Sequence, residues 1–391
     1  MRHHSKVPVG CLVLSVVAAL ALARSPLTAQ NAKRPAAVVE KGGEDEYGPY
    51  EVVPNWPQPL SKEWTWGRTG GVWAVSPDRV LVLQTGEIPL PLPKHPPNTG
   101  LWGAGIPTYS AVDHPGTRHT NQFLVFDREG ALLGSQDQWK DLWVHPHSIK
   151  MNPYDPEHHV WALDGRSGSG ECAHQVWKFT NDLKTLVMTL GEHKVQGTDD
   201  RHFGGPTDLA FLPNGDFLVA DGYRNSRVVR FDKNGKYLSE FGSKGSGPGQ
   251  FQTVHGIMVD SRGRIYVADR SNRRIQVFDP SGKFIEIWPN IQMPDDIAIT
   301  EDVDGEHLWM ADGDTSRFAK YDLNGKLVYQ WGAFGTQPGR FWGIHRFHVD
   351  SEGNLYTAEV YGGRAQKFRP KKGADPKHLI GPFLGFGKKR K

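Results

Sequence analysis

The sequence predicts an all-β fold, a six-bladed β-propeller of four-stranded antiparallel blades. Three observations predict it. An aromatic residue that closes an apolar stretch and precedes a polar turn recurs six times, at Phe126, Phe179, Phe231, Phe278, Tyr321 and Phe368. The spacings are 53, 52, 47, 43 and 47 residues, and a period of roughly 40–50 residues with several short strands marks a propeller or similar array. A second cadence runs through the later repeats: Val219-Ala220-Asp221, Val267-Ala268-Asp269, Met310-Ala311-Asp312 and Thr357-Ala358-Glu359. Finally, 45 glycines, 28 prolines and 13 tryptophans in 391 residues suit many tight turns between packed strands.

At the N-terminus, Arg2 and Lys6 precede an apolar run over residues 7–23, and small residues follow. This is the layout of a secretory signal over 1–29, cleaved after Ala23 or Ala29, so the chain is expected to be exported. The run is short for a spanning helix. The first 29 residues hold three basic residues (Arg2, Lys6 and Arg24) and no acid, so Lys+Arg falls from 46 to 43 in the mature chain, level with 43 Asp+Glu. That balance lacks the basic stripe of a nucleic-acid binder and leaves a small-molecule or peptide substrate, or a protein partner. Cys11 leaves with the signal, and Cys172 alone makes no internal disulfide. The Lys388-Lys389-Arg390-Lys391 end reads as a solvated terminus.

Residues 30–65 are rich in proline, glycine and charge and read as a lead-in, with the propeller over 66–391. The blades fall at 66–138, 143–190, 203–242, 251–288, 291–332 and 341–386. Blade three offers strands at 208–212, 216–221, 227–232 and 237–241, and blade four repeats them at 255–260, 264–269, 274–279 and 284–288. Blade one carries an insertion over 86–120, full of proline, glycine and histidine, which reads either as a cover over one channel mouth or as a plain surface loop.

Antiparallel strands put the start of each first strand and each strand two–three loop on one face. Aligned on Val72, Ile149, Leu209, Ile257, Ile297 and Phe347, the first strands carry Gly70, His147, Thr207, His255, Asp295 and His345 two residues earlier. Histidine thus occupies alternate blades, and three neutral imidazoles with an open fourth position form a catalytic zinc arrangement. The alternative is that each ring hydrogen-bonds a neighbouring carbonyl. His145, His158, His159 and His348 lie off this register and read as solvent-facing or locally satisfied. On the same face, Tyr223 is a candidate proton-transfer group if a cation lowers its pKa. Arg270 is a candidate carboxylate clamp, while Arg227 and Arg274 read as staples of the turns that hold them.

The run Val267-Ala268-Asp269-Arg270-Ser271-Asn272-Arg273-Arg274-Ile275-Gln276-Val277-Phe278 resembles an NHL repeat, over roughly residues 140–370. A narrower resemblance is to the peptidyl-α-hydroxyglycine α-amidating lyases. It is carried by His145-Pro146-His147-Ser148-Ile149, Pro206-Thr207-Asp208, Asp221-Gly222-Tyr223-Arg224-Asn225-Ser226-Arg227, Val254-His255-Gly256-Ile257 and Ala268-Asp269-Arg270. The resemblance implies zinc on His147, His255 and His345, Tyr223 as catalytic residue and Arg270 on the substrate. The chain departs from the pattern in three places: Thr85 stands where a second active-site arginine is expected, Arg346 replaces the acid of a structural calcium site, and Gly343 replaces a methionine. Arg118, in the insertion, is a candidate substitute for the missing substrate-binding guanidinium.

Three readings follow. The first is an exported zinc-dependent lyase that cleaves an α-hydroxyglycine-type hemiaminal to an amide and glyoxylate. The second is a non-catalytic propeller that binds a peptide, glycan or protein partner on its channel face. The third, a lactonase-type hydrolase, needs carboxylate and Asn ligands around calcium, for which the ring offers Asp295.

Overall fold

The repeated aspartate closes a hairpin for a local reason. In blade three the Asp232 carboxylate accepts from the N–H groups of Asn234 and Lys236 at 2.8 and 2.9 Å. Gly235 then takes φ +83°, where a Cβ is unfavourable. Asp127, Asp279 and Asp322 make the same pair of bonds. Each turn joins the third strand of a blade to its outer strand, so the sequence period is the period of this turn.

The computed structural model describes residues 47–90, 116–166 and 170–387. Six four-stranded antiparallel sheets are arranged as a six-bladed propeller, the first strand of each blade packing beside that of the next and blade six beside blade one. Blade three runs Pro206–Phe211, Phe217–Asp221, Arg227–Phe231 and Tyr237–Phe241. Blade four runs Val254–Val259, Ile265–Asp269, Arg274–Phe278 and Phe284–Trp288. These match the predicted strands to within a few residues. The signal segment, its cleavage points, most of the insertion and the basic tail lie outside the described residues.

Blade six departs from the expectation. Its strands Ile344–Val349, Leu355–Glu359 and Arg364–Pro370 are completed on the outside by Tyr50–Val52, taken from the lead-in. Tyr50 stands opposite Pro370 and Val52 opposite Phe368. Tyr50 is fully buried, its ring lies 5.5 Å from that of Trp331, and its hydroxyl accepts from the Ile380 N–H at 3.0 Å. The chain after Pro370 is therefore free to run to the far mouth of the channel. There Phe383 and Phe386 pack on Trp73 and His348.

Arginines tie successive blades together. Arg227 donates to Asp221 at 3.0 Å and to the His202 carbonyl at 2.7 Å. Arg274 donates to Asp269 and to the Gln250 carbonyl, both at 2.7 Å. Each fixes the connection that arrives from the preceding blade.

One further feature positions the site. Every first strand carries a β-bulge against its second strand. The skipped residue is Gly70, His147, Thr207, His255, Asp295 or His345. A bulge leaves one residue out of the ladder and re-aims its side chain. The six register positions are thus six bulge residues around the channel. No helix among the described residues is long and apolar enough to cross a membrane.

Candidate metal centre and active site

The bulges bring His147, His255 and His345 together at the channel. Their ring centroids are 4.6 to 5.0 Å apart and their planes are 74° to 87° to one another. One nitrogen from each lies within 4.8 Å of the others. The Nδ1 atoms point away, each to the main chain of the next blade: His147 to Thr207 O at 2.8 Å, His255 to Asp295 O at 2.6 Å, His345 to Gly70 O at 2.7 Å. A carbonyl accepts only, so Nδ1 carries the hydrogen and Nε2 keeps its lone pair. The two meanings considered for these histidines are therefore compatible: one nitrogen is satisfied by a carbonyl and the other is left for a ligand. The bulge ring alternates an imidazole with the carbonyl that orients it. Gly70 has room for no side chain, since a Cβ there would stand 2.4 Å from the Pro146 oxygen. Burial first, then the nearby Arg346 and Arg270 guanidiniums and the neighbouring rings, hold the three histidines well below the ordinary value of 6.5. Neutral imidazoles with convergent lone pairs are the donor set of a divalent metal such as zinc.

Arg346 lies buried against this ring. Its guanidinium donates to Asp295 O at 2.6 Å, Thr207 O at 2.8 Å and His345 O at 2.9 Å. Asp295 O and Thr207 O are the same oxygens that receive the His255 and His147 rings. One cation thus holds two of the three orienting carbonyls, in the manner of the outer partners that fix metal-ligating imidazoles.

Above the triad a cavity of about 280 Å³ is lined by Arg68, Thr85, His145, Tyr223, Arg270 and Tyr361 together with His147 and His345. The Tyr223 hydroxyl lies 2.7 Å from His147 Nε2 and 3.0 Å from His255 Nε2. Arg270 bonds Asp295 at 3.0 Å and its guanidinium stands 5.4 Å from the Tyr223 ring centre. That cation pulls the tyrosine pKa down, but burial outweighs it and the value is raised. Burial also pushes Asp295 up to about 6, against the pull of Arg270.

Arg118 is not among the residues that line the cavity. It donates to the fully buried Glu87 at 2.7 Å and stacks over Trp64, which anchors the return of the insertion instead. The residues that sequence reasoning missed are Arg68, Thr85 as a lining group, and Tyr361. Gly343 makes room for Tyr361, because a Cβ there would stand 2.1 Å from its ring. His145 lines the cavity and His348 is buried, so neither faces solvent. Arg68 and His145 each stand two residues before a bulge residue, which was the signal available.

A family model described as a six-bladed β-propeller (DUF5128) matches residues 194–309. The chain is 32% identical over 298 residues to human NHL repeat-containing protein 3, covering 71% of this chain and 82% of that protein. The chain belongs to the NHL-repeat propellers. This NHL propeller is also 29% identical over 245 residues to peptidyl-glycine α-amidating monooxygenase B of Xenopus laevis, covering 60% of this chain but 27% of the frog protein. It therefore spans about a quarter of that relative. A probable peptidyl-α-hydroxyglycine α-amidating lyase of Caenorhabditis elegans is 35% identical over 140 residues, covering 35% of this chain and 37% of the worm protein. The NHL propeller thus sits among lyase-like relatives.

Proposed function

We propose that this propeller is an exported zinc-dependent lyase that splits an α-hydroxyglycine-type hemiaminal into an amide and glyoxylate. The observation that carries the reading is the convergence of three Nε2 lone pairs beside the Tyr223 hydroxyl, in a cavity that Arg270 lines. Relatives named for α-amidation support the reaction class. Export rests on the signal pattern of 1–29.

His147, His255 and His345 would hold zinc, which when bound supplies a Lewis acid for the substrate hydroxyl. Tyr223, a neutral phenol because burial holds its pKa up, gives its proton to the departing nitrogen and takes the substrate hydroxyl proton in its place. Arg270, fixed by Asp295, holds the substrate carboxylate by charge-assisted hydrogen bonds. The O–H electron pair becomes the C=O bond of glyoxylate, the C–N pair stays on nitrogen, the phenol proton ends there as an amide hydrogen, and the hydroxyl proton restores the phenol. The reaction consumes no water and needs no redox partner.

Calcium does not fit beside the triad. The carbonyl oxygens there are taken by the Arg346 guanidinium, and a calcium site wants acids among its oxygens. The lactonase reading fares no better, because Asp295 is tied to Arg270.

One observation favours a non-catalytic propeller that binds a peptide, glycan or protein partner: Thr85 stands where the resemblance expects a guanidinium. Glyoxylate release from α-hydroxyhippurate by zinc-supplied protein, lost in His255→Ala, supports the lyase. No turnover by zinc-loaded protein sinks it and leaves the binding reading.

A further inference from the structure

Buried polar groups almost always have hydrogen-bond partners, since burying one without a partner is costly. Three residues that line the cavity break the rule together. Arg68 Nε, Thr85 Oγ1 and His145 Nε2 are buried and have no hydrogen-bond partner among the described residues. They lie on blades one and two: Arg68 and His145 precede the first strands Thr69–Ser76 and Pro146–Met151. Thr85 follows the second strand of blade one, and its N–H donates to the Arg68 carbonyl at 2.9 Å. The position that lacks the expected arginine is therefore bonded directly to another arginine.

The three groups differ in kind. Arg68 offers guanidinium N–H donors, and no carboxylate pairs with it among the described residues, whereas Arg270 already has Asp295. Thr85 offers a hydroxyl. His145 has Nδ1 3.0 Å from the Gly165 carbonyl, so its Nε2 is the accepting nitrogen.

We propose that Arg68, Thr85 and His145 form the second half of the substrate clamp. Arg68 and Thr85 donate to a carboxylate, and His145 accepts from an adjacent amide N–H, so the ligand class is an N-acylated amino acid with a free carboxylate. The assignment rests on the lyase reading for its substrate, and its test does not require turnover. The guanidinium stands instead just before the neighbouring strand, which offsets its loss at Thr85.

The test is calorimetric titration of zinc-loaded protein with hippurate (N-benzoylglycine) and with hippuramide, its uncharged counterpart. Wild type is expected to bind hippurate at least tenfold more tightly than hippuramide. Arg68→Gln is expected to lose at least tenfold for hippurate and nothing for hippuramide, a charge-specific change that a folding defect would not produce. Arg68→Lys keeps the charge without the fork and is expected to fall between. With α-hydroxyhippurate, Arg68→Gln should raise KM more than it lowers kcat. Arg68-dependent hippurate binding in a protein that releases no glyoxylate upholds the clamp and sinks the lyase. Unchanged hippurate affinity and KM in Arg68→Gln, or no hippurate binding by wild type, overturns the clamp.

Discussion

Arg346 donates to the Thr207 carbonyl at 2.8 Å, on the oxygen that also receives the His147 ring at 2.8 Å. A charge that touches no ligand atom therefore reaches the triad through the main chain and, at His255, from 3.5 Å off the Nδ1 side of the ring. Removing it frees the carbonyls and takes from Asp296, 3.8 Å away, the stronger of its two cationic neighbours, leaving Lys150. Arg346→Met is expected to weaken zinc binding by about 10–100-fold and to cost about 3 kcal/mol of stability. Competition with a zinc chelator and urea denaturation read the two effects. Chelation of calcium should leave the melting temperature of the wild type unchanged.

Metal content is the most direct check on the triad. Elemental mass spectrometry is expected to find about one zinc per chain in wild type, for a three-histidine site, and none in His147→Ala. Metal-free wild type after zinc supply would leave the three rings as structural hydrogen-bond donors.

Tyr223→Phe keeps the ring and removes the hydroxyl that lies between His147 and His255. Loss of a general acid–base should lower kcat by about 10²–10⁴-fold, while zinc content stays at the wild-type level. A variant with normal kcat would remove Tyr223 from the chemistry.

His348, which does not line the cavity, gives a pH signature. It is buried on Trp73, with ring centroids 3.7 Å apart, and burial pushes its pKa down to about 3 from 6.5. The folded ring stays neutral where the unfolded one is protonated, so unfolding takes up a proton between those values. Stability from this residue is therefore present above pH 6.5 and lost as pH falls toward 3. Between pH 6.5 and 5, wild type should lose about 2 kcal/mol more than His348→Phe, as read by denaturant titration at the two pH values.

Ring closure depends on Tyr50. Tyr50→Ala removes the contact with Trp331 and the hydroxyl that Ile380 uses. The expected loss is about 3–5 kcal/mol, the range for truncating a large buried aromatic, visible as a lower denaturation midpoint.

What the sequence displayed was periodic and local. The Asp-turns, the six repeats and the register of His147, His255 and His345 follow from spacing, because each blade repeats one hairpin chemistry. Tyr50–Val52 escaped because three residues are too few to show an alternation, and their partner strand lies more than 300 residues away in the chain. Arg118 was a plausible substitute in the sequence, where the buried carboxylate of Glu87 gives no sign of claiming it. Arg68 escaped because lacking a partner is a property of three dimensions. The bulges leave no composition signal at all, although they explain why a residue two positions before a core aliphatic faces the channel.

Those bulges separate chemistry from architecture. Each channel residue is the one its strand does not need for pairing, so exchanging it leaves the ladder intact. A lineage can then retune the ring by substitution at the five positions other than Gly70, with modest risk to folding, and the histidines, threonine and aspartate found there record one such setting. Innovation in this scaffold is inexpensive at the bulge and difficult one residue to either side.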